Sequence, residues 1–288
     1  MVVTDIVKYD PPYKACPACN SSQIGLLLKD FRENHIFSCK QCSVQFMNPI
    51  FSDEYLQHYY AEYYEGEIPE ANYMKAHQRD NEVKFQFIER YTQPPGKALD
   101  FGCGNGNFAE YAKMRGWDVI GYDVDGDAMN KVSERLGIEV ESGPFESIDW
   151  KESKFDLIHA YHVIEHLKYP MRDLKKLHNL LADNGFLYIA VPNINALSVR
   201  VKFRLEKLGL RRKNIGKYYD SEHHIFYYSP KSLTAMLDKC GFEVVFSMNA
   251  TKVTAEHSKI AQFFARDLPN ALYSNGAFFI IATKKKSA

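Results

Sequence analysis

Short apolar runs alternate with amphipathic segments along most of the chain after residue 97. Bounded runs rich in β-branched and aromatic residues are typical of buried strands, and apolar residues at intervals of three and four are typical of helices. The predicted strands are 98–101, 118–123, 138–141, 155–160, 186–191, 242–246 and 277–282. The predicted helices are 106–115, 126–136, 169–182, 230–239 and 254–266. Such alternation predicts an α/β domain with parallel strands and helices on both faces of the sheet.

Two further helices are predicted before this domain. Residues 73–91 form an amphipathic pattern that ends at Pro94-Pro95-Gly96. A tyrosine-rich helix begins after Ser52 or Asp53, either of which can cap it, and continues to Tyr64. We favour the interpretation that its aromatic face packs on the main domain. The alternative is that some of its tyrosines cover the mouth of a substrate site.

A glycine-rich turn follows the first strand of the α/β pattern. Gly102, Gly104 and Gly106 alternate with other residues, and a helix begins at once. Glycines permit a sharp turn and close approach of a ligand, while the helix start offers unpaired N–H groups to an anionic or polar ligand. The second strand ends in Asp123, where an acid can accept both hydroxyls of a ribose. The spacing of the glycines differs from that of the dinucleotide-binding pattern. The glycine turn and Asp123 together predict an adenosine-type ligand.

Four cysteines near the N-terminus have the spacing of a metal-binding ribbon. Cys16 and Cys19 form one Cys-x-x-Cys pair, and Cys39 and Cys42 form the other. Each pair can direct two thiolates at one tetrahedral ion, and the interval suits a hairpin with strands at 24–28 and 35–38. We predict a structural zinc site, because four thiolates leave no open position for catalysis. The alternatives are that the two Cys-x-x-Cys pairs are reduced and unrelated, or that one of them is a redox-active pair.

Composition excludes some partners and leaves others open. Lys and Arg together number 36, as do Asp and Glu, so the whole chain has no electrostatic preference for nucleic acid. Apolar residues make up 45% of the chain, enough for a large core. No run is as long as a transmembrane span, and the N-terminus lacks the pattern of a signal peptide. We therefore expect a cytoplasmic protein.

The glycine turn and Asp123 resemble motif I and the following acid of class I S-adenosylmethionine (SAM) methyltransferases. The ribbon, Asn48-Pro49 and the tyrosine-rich helix, in this order, are similar to a bacterial subgroup often linked to cell-surface sugar or secondary-metabolite pathways. This resemblance implies a Rossmann-like seven-stranded sheet with helices on both faces, its last strand antiparallel, and a small N-terminal zinc ribbon. The expected domains are a ribbon at 1–50, a helical linker and cap at 51–96, and a catalytic domain at 97–288 with a basic insertion at 194–229.

The resemblance also implies where SAM binds. The glycines flank its methionine part, Asp123 takes the ribose, and Asp100 lies near the amine, directly or through water. The segment after the third strand contacts adenine in relatives, but Pro144 replaces a frequent Asp there, and Phe145 or Glu146 can contribute instead. The implied cofactor-binding residues are Asp100, Gly102, Cys103, Gly104, Gly106, Asp123, Val124, Phe145, Ala160 and His162.

Histidines are the candidate catalytic residues. In relatives a histidine precedes an aromatic run and Ser-Pro, and His224 matches it. A histidine near neutral pKa can take a proton from a hydroxyl during methyl transfer, so His224 is the predicted base, with His223 and His162 as alternatives. His162 and His166 lie four residues apart, as metal ligands on a helix can. We favour cofactor contact or base catalysis for one of these two histidines. The alternative for His166 is a packing role in which its ring is hydrogen-bonded.

The insertion carries a concentration of positive charge. It contains Arg200, Lys202, Arg204, Lys207, Arg211, Arg212, Lys213 and Lys217, with Glu206 as the one acid between 193 and 217. It forms a solvated helix, a lid that attracts an anionic substrate such as a nucleotide sugar or phosphorylated acceptor, or a contact with an anionic membrane.

The predicted function is methyl transfer from SAM to a small-molecule acceptor, which can be anionic, at an oxygen of a sugar or biosynthetic intermediate. Nitrogen and carbon acceptors stay open. Within the enzyme class, the alternative is an RNA methyltransferase that uses the ribbon and the insertion, although neutral overall charge argues against it. Outside that class, the alternative is a non-catalytic SAM-binding or zinc-ribbon scaffold protein.

Overall fold

A computed structural model describes residues 8–63, 71–151, 153–250, 258–263, 268 and 276–286 of the chain. The strands are β1 (Ile24–Lys29), β2 (His35–Cys39), β3 (Gln45–Met47), β4 (Lys97–Phe101), β5 (Asp118–Asp123), β6 (Glu139–Ser142), β7 (Phe155–Tyr161), β8 (Leu181–Pro192), β9 (Phe226–Tyr227), β10 (Phe242–Asn249) and β11 (Ala277–Lys284). The helices are α1 (Asp53–Tyr63), α2 (Ala71–Ile88), α3 (Asn107–Met114), α4 (Gly126–Leu136), α5 (Pro170–Leu180), α6 (Leu197–Lys207), α7 (Pro230–Lys239) and α8 (Lys259–Gln262).

The central sheet has seven strands in the order β10-β11-β8-β7-β4-β5-β6. Strands β8, β7, β4, β5 and β6 pair in parallel, whereas β11 pairs antiparallel with both β8 and β10. Helices between consecutive parallel strands cover the sheet, and burial on both faces accounts for the nearly continuous apolar sequence of these strands. The predicted Rossmann-like sheet with an antiparallel last strand is confirmed.

Strand β8 is longer than its sequence indicates. The polar segment before residue 186 suggests a turn, yet Leu181 already pairs with Phe155 of β7. The register then shifts before Leu157 pairs with Phe186, so the polar residues lie in an irregular start of the strand. Helix α5 consequently ends at Leu180 instead of at residue 182. Of the predicted helix at 254–266, most lies outside the described residues, as does Tyr64 of the tyrosine-rich segment.

A second, small sheet contains the ribbon hairpin and two strands that the sequence did not indicate. Its order is β1-β2-β3-β9, with antiparallel pairing throughout. Strand β9 comes from the far end of the predicted insertion, and Phe46 of β3 pairs with Phe226 of β9. Both phenylalanines are fully buried, and their rings lie 6.3 Å apart. The ribbon is thus joined to the main domain by backbone hydrogen bonds and by a shared core.

Within the part of the chain that the structure describes, no helix combines the length and the apolar composition needed to cross a bilayer.

Candidate active site

A cavity of about 530 Å³ opens at the carboxyl ends of the parallel strands. In open α/β sheets, ligands bind at this edge. The cavity is lined by the ends of β4, β5 and β8, by the segments that follow β4, β5 and β7, by α1 and by the segment before β9. The lining residues are Tyr59, Phe101, Gly102, Tyr122, Asp123, Val124, His162, Val163, His166, Leu167, Pro192, Asp220, His223 and His224.

The glycine turn reaches the cavity through Gly102, which requires the absence of a side chain. Its φ of 80° lies in the left-handed region, and an added Cβ would lie 2.1 Å from a methyl carbon of Val163. The backbone N–H groups of Gly102 and Cys103 both donate to the Tyr122 carbonyl at 2.8 Å. The turn is therefore held against the end of β5, which brings it next to Asp123.

Asp123 is positioned by the same turn. The N–H of Gly104 donates to Oδ2 of Asp123 at 3.0 Å, and the side chain is buried at the cavity wall. Burial raises the pKa of the Asp123 carboxyl, although the Gly104 N–H opposes that rise. A fixed carboxylate here can accept hydrogen bonds from two vicinal hydroxyls, as the ribose of a nucleoside requires.

The remaining predicted cofactor residues lie in four different settings. Val124 and His162 line the cavity. Asp100, Cys103 and Ala160 are buried in and around the strand ends. Phe145 is buried in an aromatic cluster, with its ring centroid 4.7 Å from that of Phe101. Gly104 and Gly106 have positive φ, like Gly102, and complete the turn before α3.

Asp100 makes a buried pair beneath the glycine turn. Its Oδ1 lies 2.8 Å from Nδ1 of His159, and neither side chain is exposed. Burial lowers the pKa of His159 to about 4, although Asp100 opposes that shift. Neither Oδ2 of Asp100 nor Nε2 of His159 has a hydrogen-bond partner among the described residues. The second Asp100 oxygen therefore keeps its capacity to accept a hydrogen bond from a ligand amine or a water.

His162 and Glu165 form a second acid–imidazole pair, and this one faces the cavity. His162 has a φ of 55° directly after β7, a conformation that few non-glycine residues adopt. Its Nδ1 lies 3.1 Å from Oε1 of Glu165, which is almost fully buried, whereas the His162 side chain is 36% exposed. Burial disfavours the Glu165 carboxylate, but the His162 hydrogen bond and the nearby His166 outweigh it and hold its pKa below the ordinary value.

Three more histidines, His166, His223 and His224, form what we call the histidine cluster. One ring nitrogen from each lies within 4.8 Å of the corresponding nitrogens of the other two. The ring centroids are 4.5 Å to 5.1 Å apart. Burial lowers the pKa of His166 to about 4 and also lowers those of His223 and His224. These rings are therefore weaker bases than an exposed histidine would be.

Helix α1 contributes Tyr59 to the cavity wall. Its ring stacks on that of His223 with centroids 5.8 Å apart, and its hydroxyl lies 3.2 Å from His223 Nδ1. Tyr55, one turn earlier, stacks instead on the buried Phe51. Tyr55 thus fits the packing interpretation of this helix, and Tyr59 fits the alternative that a tyrosine covers the mouth of the site.

The four ribbon cysteines converge as predicted. Cys16 and Cys42 have their sulfur atoms 3.6 Å apart, and so do Cys19 and Cys39. All four sulfurs lie within 4.8 Å of one another. A tetrahedral zinc with bonds of about 2.3 Å separates its thiolates by about 3.8 Å, so this arrangement fits that metal and is too wide for disulfides.

A second cavity of about 410 Å³ lies between α6 and the ribbon sheet. Arg200, Arg204 and Lys207 line one side, and Leu27 and Gln45 of the ribbon line the other. The carboxylate of Glu206 accepts a hydrogen bond from the Tyr218 hydroxyl at 2.8 Å.

The curated relatives match less than half of the chain. The chain is 28% identical over 131 residues to a ubiquinone biosynthesis O-methyltransferase from Coxiella burnetii, covering 43% of the chain and 56% of that protein. It is likewise 28% identical over 109 residues to the protein of this name from Acinetobacter baylyi, covering 35% of the chain and 46% of that protein. The chain thus spans about half the length of the curated relatives it matches.

Solved structures share the fold at lower identity. A SAM-dependent methyltransferase from Methanosarcina mazei aligns with a TM-score of 0.51 at 19% identity, covering 70% of this chain and 98% of that one. The magnesium protoporphyrin IX methyltransferase of Synechocystis, solved with bound S-adenosylhomocysteine, also gives 0.51, at 13% identity, covering 80% of this chain and 94% of that one. A methyltransferase-domain family matches residues 74–246, more than half of the chain. The chain therefore belongs to the class I SAM-dependent methyltransferases.

Proposed function

We propose that this enzyme transfers the methyl group of SAM to a hydroxyl oxygen of a small acceptor. One observation carries the proposal: a single cavity is lined both by Asp123, beside the glycine turn, and by His162, whose imidazole is paired with the buried Glu165. The first part suits the nucleoside of SAM, and the second suits removal of a proton from the acceptor. The O-methyltransferases among the curated relatives support oxygen as the acceptor atom.

On the cofactor side, the chain supplies fixed polar groups. Asp123 would accept the ribose hydroxyls, the backbone of Gly102 would contact the cofactor, and the second oxygen of Asp100 would bind the amine, directly or through water. Bound SAM supplies an activated methyl group. The main task of the protein is to hold the acceptor oxygen in line with the bond that breaks, so that two bound reactants replace a bimolecular encounter.

On the acceptor side, we assign the removal of the hydroxyl proton to His162. An ionised carboxylate only accepts hydrogen bonds, so Nδ1 of His162 carries hydrogen toward Glu165, and Nε2 carries the lone pair. His162 takes the acceptor proton at Nε2 while the carbon–oxygen bond forms and the carbon–sulfur bond breaks, and Glu165 stabilises the resulting imidazolium. The sequence-based choice of His224 stays a prediction, which a paired substitution can separate from this one.

The acceptor class is inferred from the basic cavity. Arg200, Arg204 and Lys207 face a space adjoining the segment before β9, and guanidinium groups bind phosphate and carboxylate well. We therefore propose an acceptor that can be anionic, such as a phosphorylated sugar or biosynthetic intermediate.

The ribbon is proposed to hold one structural zinc ion through Cys16, Cys19, Cys39 and Cys42. Four thiolates at tetrahedral spacing satisfy the ion completely, so it would stabilise the fold without taking part in the reaction. We retain the proposed division into a ribbon at 1–50, a linker and cap at 51–96 and a catalytic domain at 97–288, with the insertion at 194–229.

Methyl transfer from radiolabelled SAM to a panel of sugars, phosphorylated sugars and phenols, with product identified by mass spectrometry, tests the proposal. We expect SAM and S-adenosylhomocysteine to bind in calorimetry and NAD not to bind. Methyl transfer to nitrogen or carbon alone would reject the proposed oxygen acceptor. Absence of SAM binding would reject the proposed methyltransferase activity.

A further inference from the structure

We propose that the histidine cluster binds a divalent transition-metal ion, zinc or an ion of similar ligand preference, at the wall of the active-site cavity. The inference rests on the proposed function, because it assigns the ion a role in activating the acceptor hydroxyl. It concerns His166, His223 and His224 and is separate from the cysteine site of the ribbon.

The ring nitrogens of the three cluster histidines converge. Ligand nitrogens of a tetrahedral zinc lie about 3.4 Å apart. One ring nitrogen of each cluster histidine is already within 4.8 Å of the other two, although the rings come from two segments far apart in sequence. A 3-10 turn at Ile164–His166 supplies one ring, and the segment before β9 supplies the other two. Small side-chain rotations would therefore complete three metal bonds.

The orientation of the three rings also suits a metal ion. Nδ1 of His166 lies 3.2 Å from the His223 carbonyl, and Nδ1 of His224 lies 3.3 Å from the Tyr219 carbonyl. A carbonyl only accepts, so in both rings Nδ1 carries the hydrogen and Nε2 carries the lone pair. Nδ1 of His223 lies 3.2 Å from the Tyr59 hydroxyl. Metal-binding histidines typically engage their other ring nitrogen in this way, which fixes the tautomer and the ring direction.

Two carboxylates lie close to the cluster. Glu165 precedes His166, is 1% exposed, and its Oε2 has no hydrogen-bond partner among the residues that the structure describes. A buried, incompletely satisfied carboxylate favours a nearby cation. Oδ2 of Asp220 lies 3.8 Å from Nε2 of His223. A divalent ion would balance the charge of these two carboxylates.

The cluster is accessible from the active-site cavity. All three histidines line the cavity that also contains Asp123 and His162. Three protein ligands leave a position open for substrate, as in catalytic zinc sites. An acceptor hydroxyl at that position would lose its proton more readily, with His162 taking the proton as the oxygen attacks the methyl carbon. The carbon–sulfur bond would break with its electron pair on sulfur, which leaves the neutral thioether S-adenosylhomocysteine.

Zinc binding by the full-length chain tests the inference. Equilibrium dialysis against Zn²⁺, followed by elemental analysis, should give about one ion more per chain in the wild type than in His223→Gln or His224→Gln. The matched control is His35→Gln, an exposed histidine on β2, which should keep the wild-type content. Tyr59→Phe, which removes only the hydroxyl beside His223, should weaken affinity at this site about 10–100-fold. Equal zinc content in the cluster variants and the wild type would overturn the proposal.

A second measurement needs no variant and so does not depend on folding of a mutant. Diethyl pyrocarbonate modifies accessible imidazoles, and bound Zn²⁺ should protect peptides with His166, His223 and His224 while leaving His35 reactive. Unchanged modification of the cluster on adding Zn²⁺ would contradict the site. The outcomes for the proposed function are distinct: O-methylation without an extra ion rejects the metal alone, and an extra ion without O-methylation rejects the proposed reaction alone.

Discussion

Nδ1 of His162 lies 3.1 Å from Oε1 of Glu165, and the imidazole faces the cavity while the carboxylate is buried behind it. This relationship fixes the tautomer of His162 and places a negative charge where an imidazolium would form. It is the arrangement that a positioned general base requires.

Replacing His162 by Gln should therefore lower turnover by about 10²–10⁴, the usual contribution of a general base. SAM affinity should change far less, because the side chain acts on the acceptor. Turnover and calorimetric SAM binding are measured in parallel for His162→Gln, Glu165→Gln and His224→Gln. If His224→Gln loses turnover and His162→Gln keeps it, the base is His224.

Asp123→Ala should weaken SAM binding by about 1–3 kcal/mol, the cost of leaving hydrogen-bonding groups unsatisfied. The loss has two sources, since the ribose hydroxyls lose an acceptor and the Gly104 N–H loses its partner at 3.0 Å. Calorimetry with S-adenosylhomocysteine measures it. Asp127→Ala, an exposed acid in the first turn of α4, serves as the control and should bind normally. Unchanged affinity in Asp123→Ala would contradict the assignment.

SAM affinity should fall on acidification earlier than an ordinary aspartate would allow. Burial raises the pKa of Asp123, so its carboxylate gains a proton at a pH above the usual value of about 3.9. Protonation removes accepting capacity, so affinity is complete above the raised pKa and is lost as the pH falls through it. Binding is measured against pH in the range where circular dichroism shows a folded chain. Asp123→Asn should lack this acidic limb, and a limb of equal size in that variant would assign the titration elsewhere.

Substitution of one ribbon cysteine should remove the zinc ion that the ribbon holds. Cys39→Ser should lose about one zinc per chain relative to the wild type and should unfold at a lower temperature. Cys240→Ser is the matched control, because Cys240 is buried away from the ribbon with its sulfur 3.7 Å from the Met171 carbonyl. Elemental analysis and thermal unfolding report the two effects. Equal zinc content in Cys39→Ser and the wild type would remove the ribbon assignment.

Gly102→Ala should destabilise the fold and reduce SAM binding together. The new methyl group would meet Val163 at 2.1 Å, and the φ of 80° disfavours any side chain by about 1–3 kcal/mol. Adding Val163→Ala should restore part of the stability by providing space, while the backbone cost stays. Chemical denaturation of the single and double variants gives this coupling. Full recovery in the double variant would show that the φ contributes nothing.

Sequence patterns predicted the parts of the molecule that depend on local periodicity or short motifs. All seven strands of the central sheet, the glycine turn with Asp123 and the convergence of four cysteines follow from spacing alone. Glu165 has no such signal: no short motif singles it out among its neighbours, and only its burial beside His162 brings it into the proposed site. The histidine cluster depends on two segments meeting across the fold, which no local pattern records. Strand β9 is two residues long, too short for a hydrophobic period to identify.

The pairing of β3 with β9 also bears on how the chain acquires its structure. During synthesis the ribbon emerges before β9, and its β3 edge has no partner until residues 226–227 leave the ribosome. The interval includes all five parallel strands of the central sheet, and contacts between such distant segments slow folding. An open edge carrying Phe46 and Met47 can recruit strands from other nascent chains. Rapid binding of zinc by the four ribbon cysteines would limit that hazard, because it would keep the β1–β2 hairpin rigid while β9, the last strand of the small sheet, is still missing.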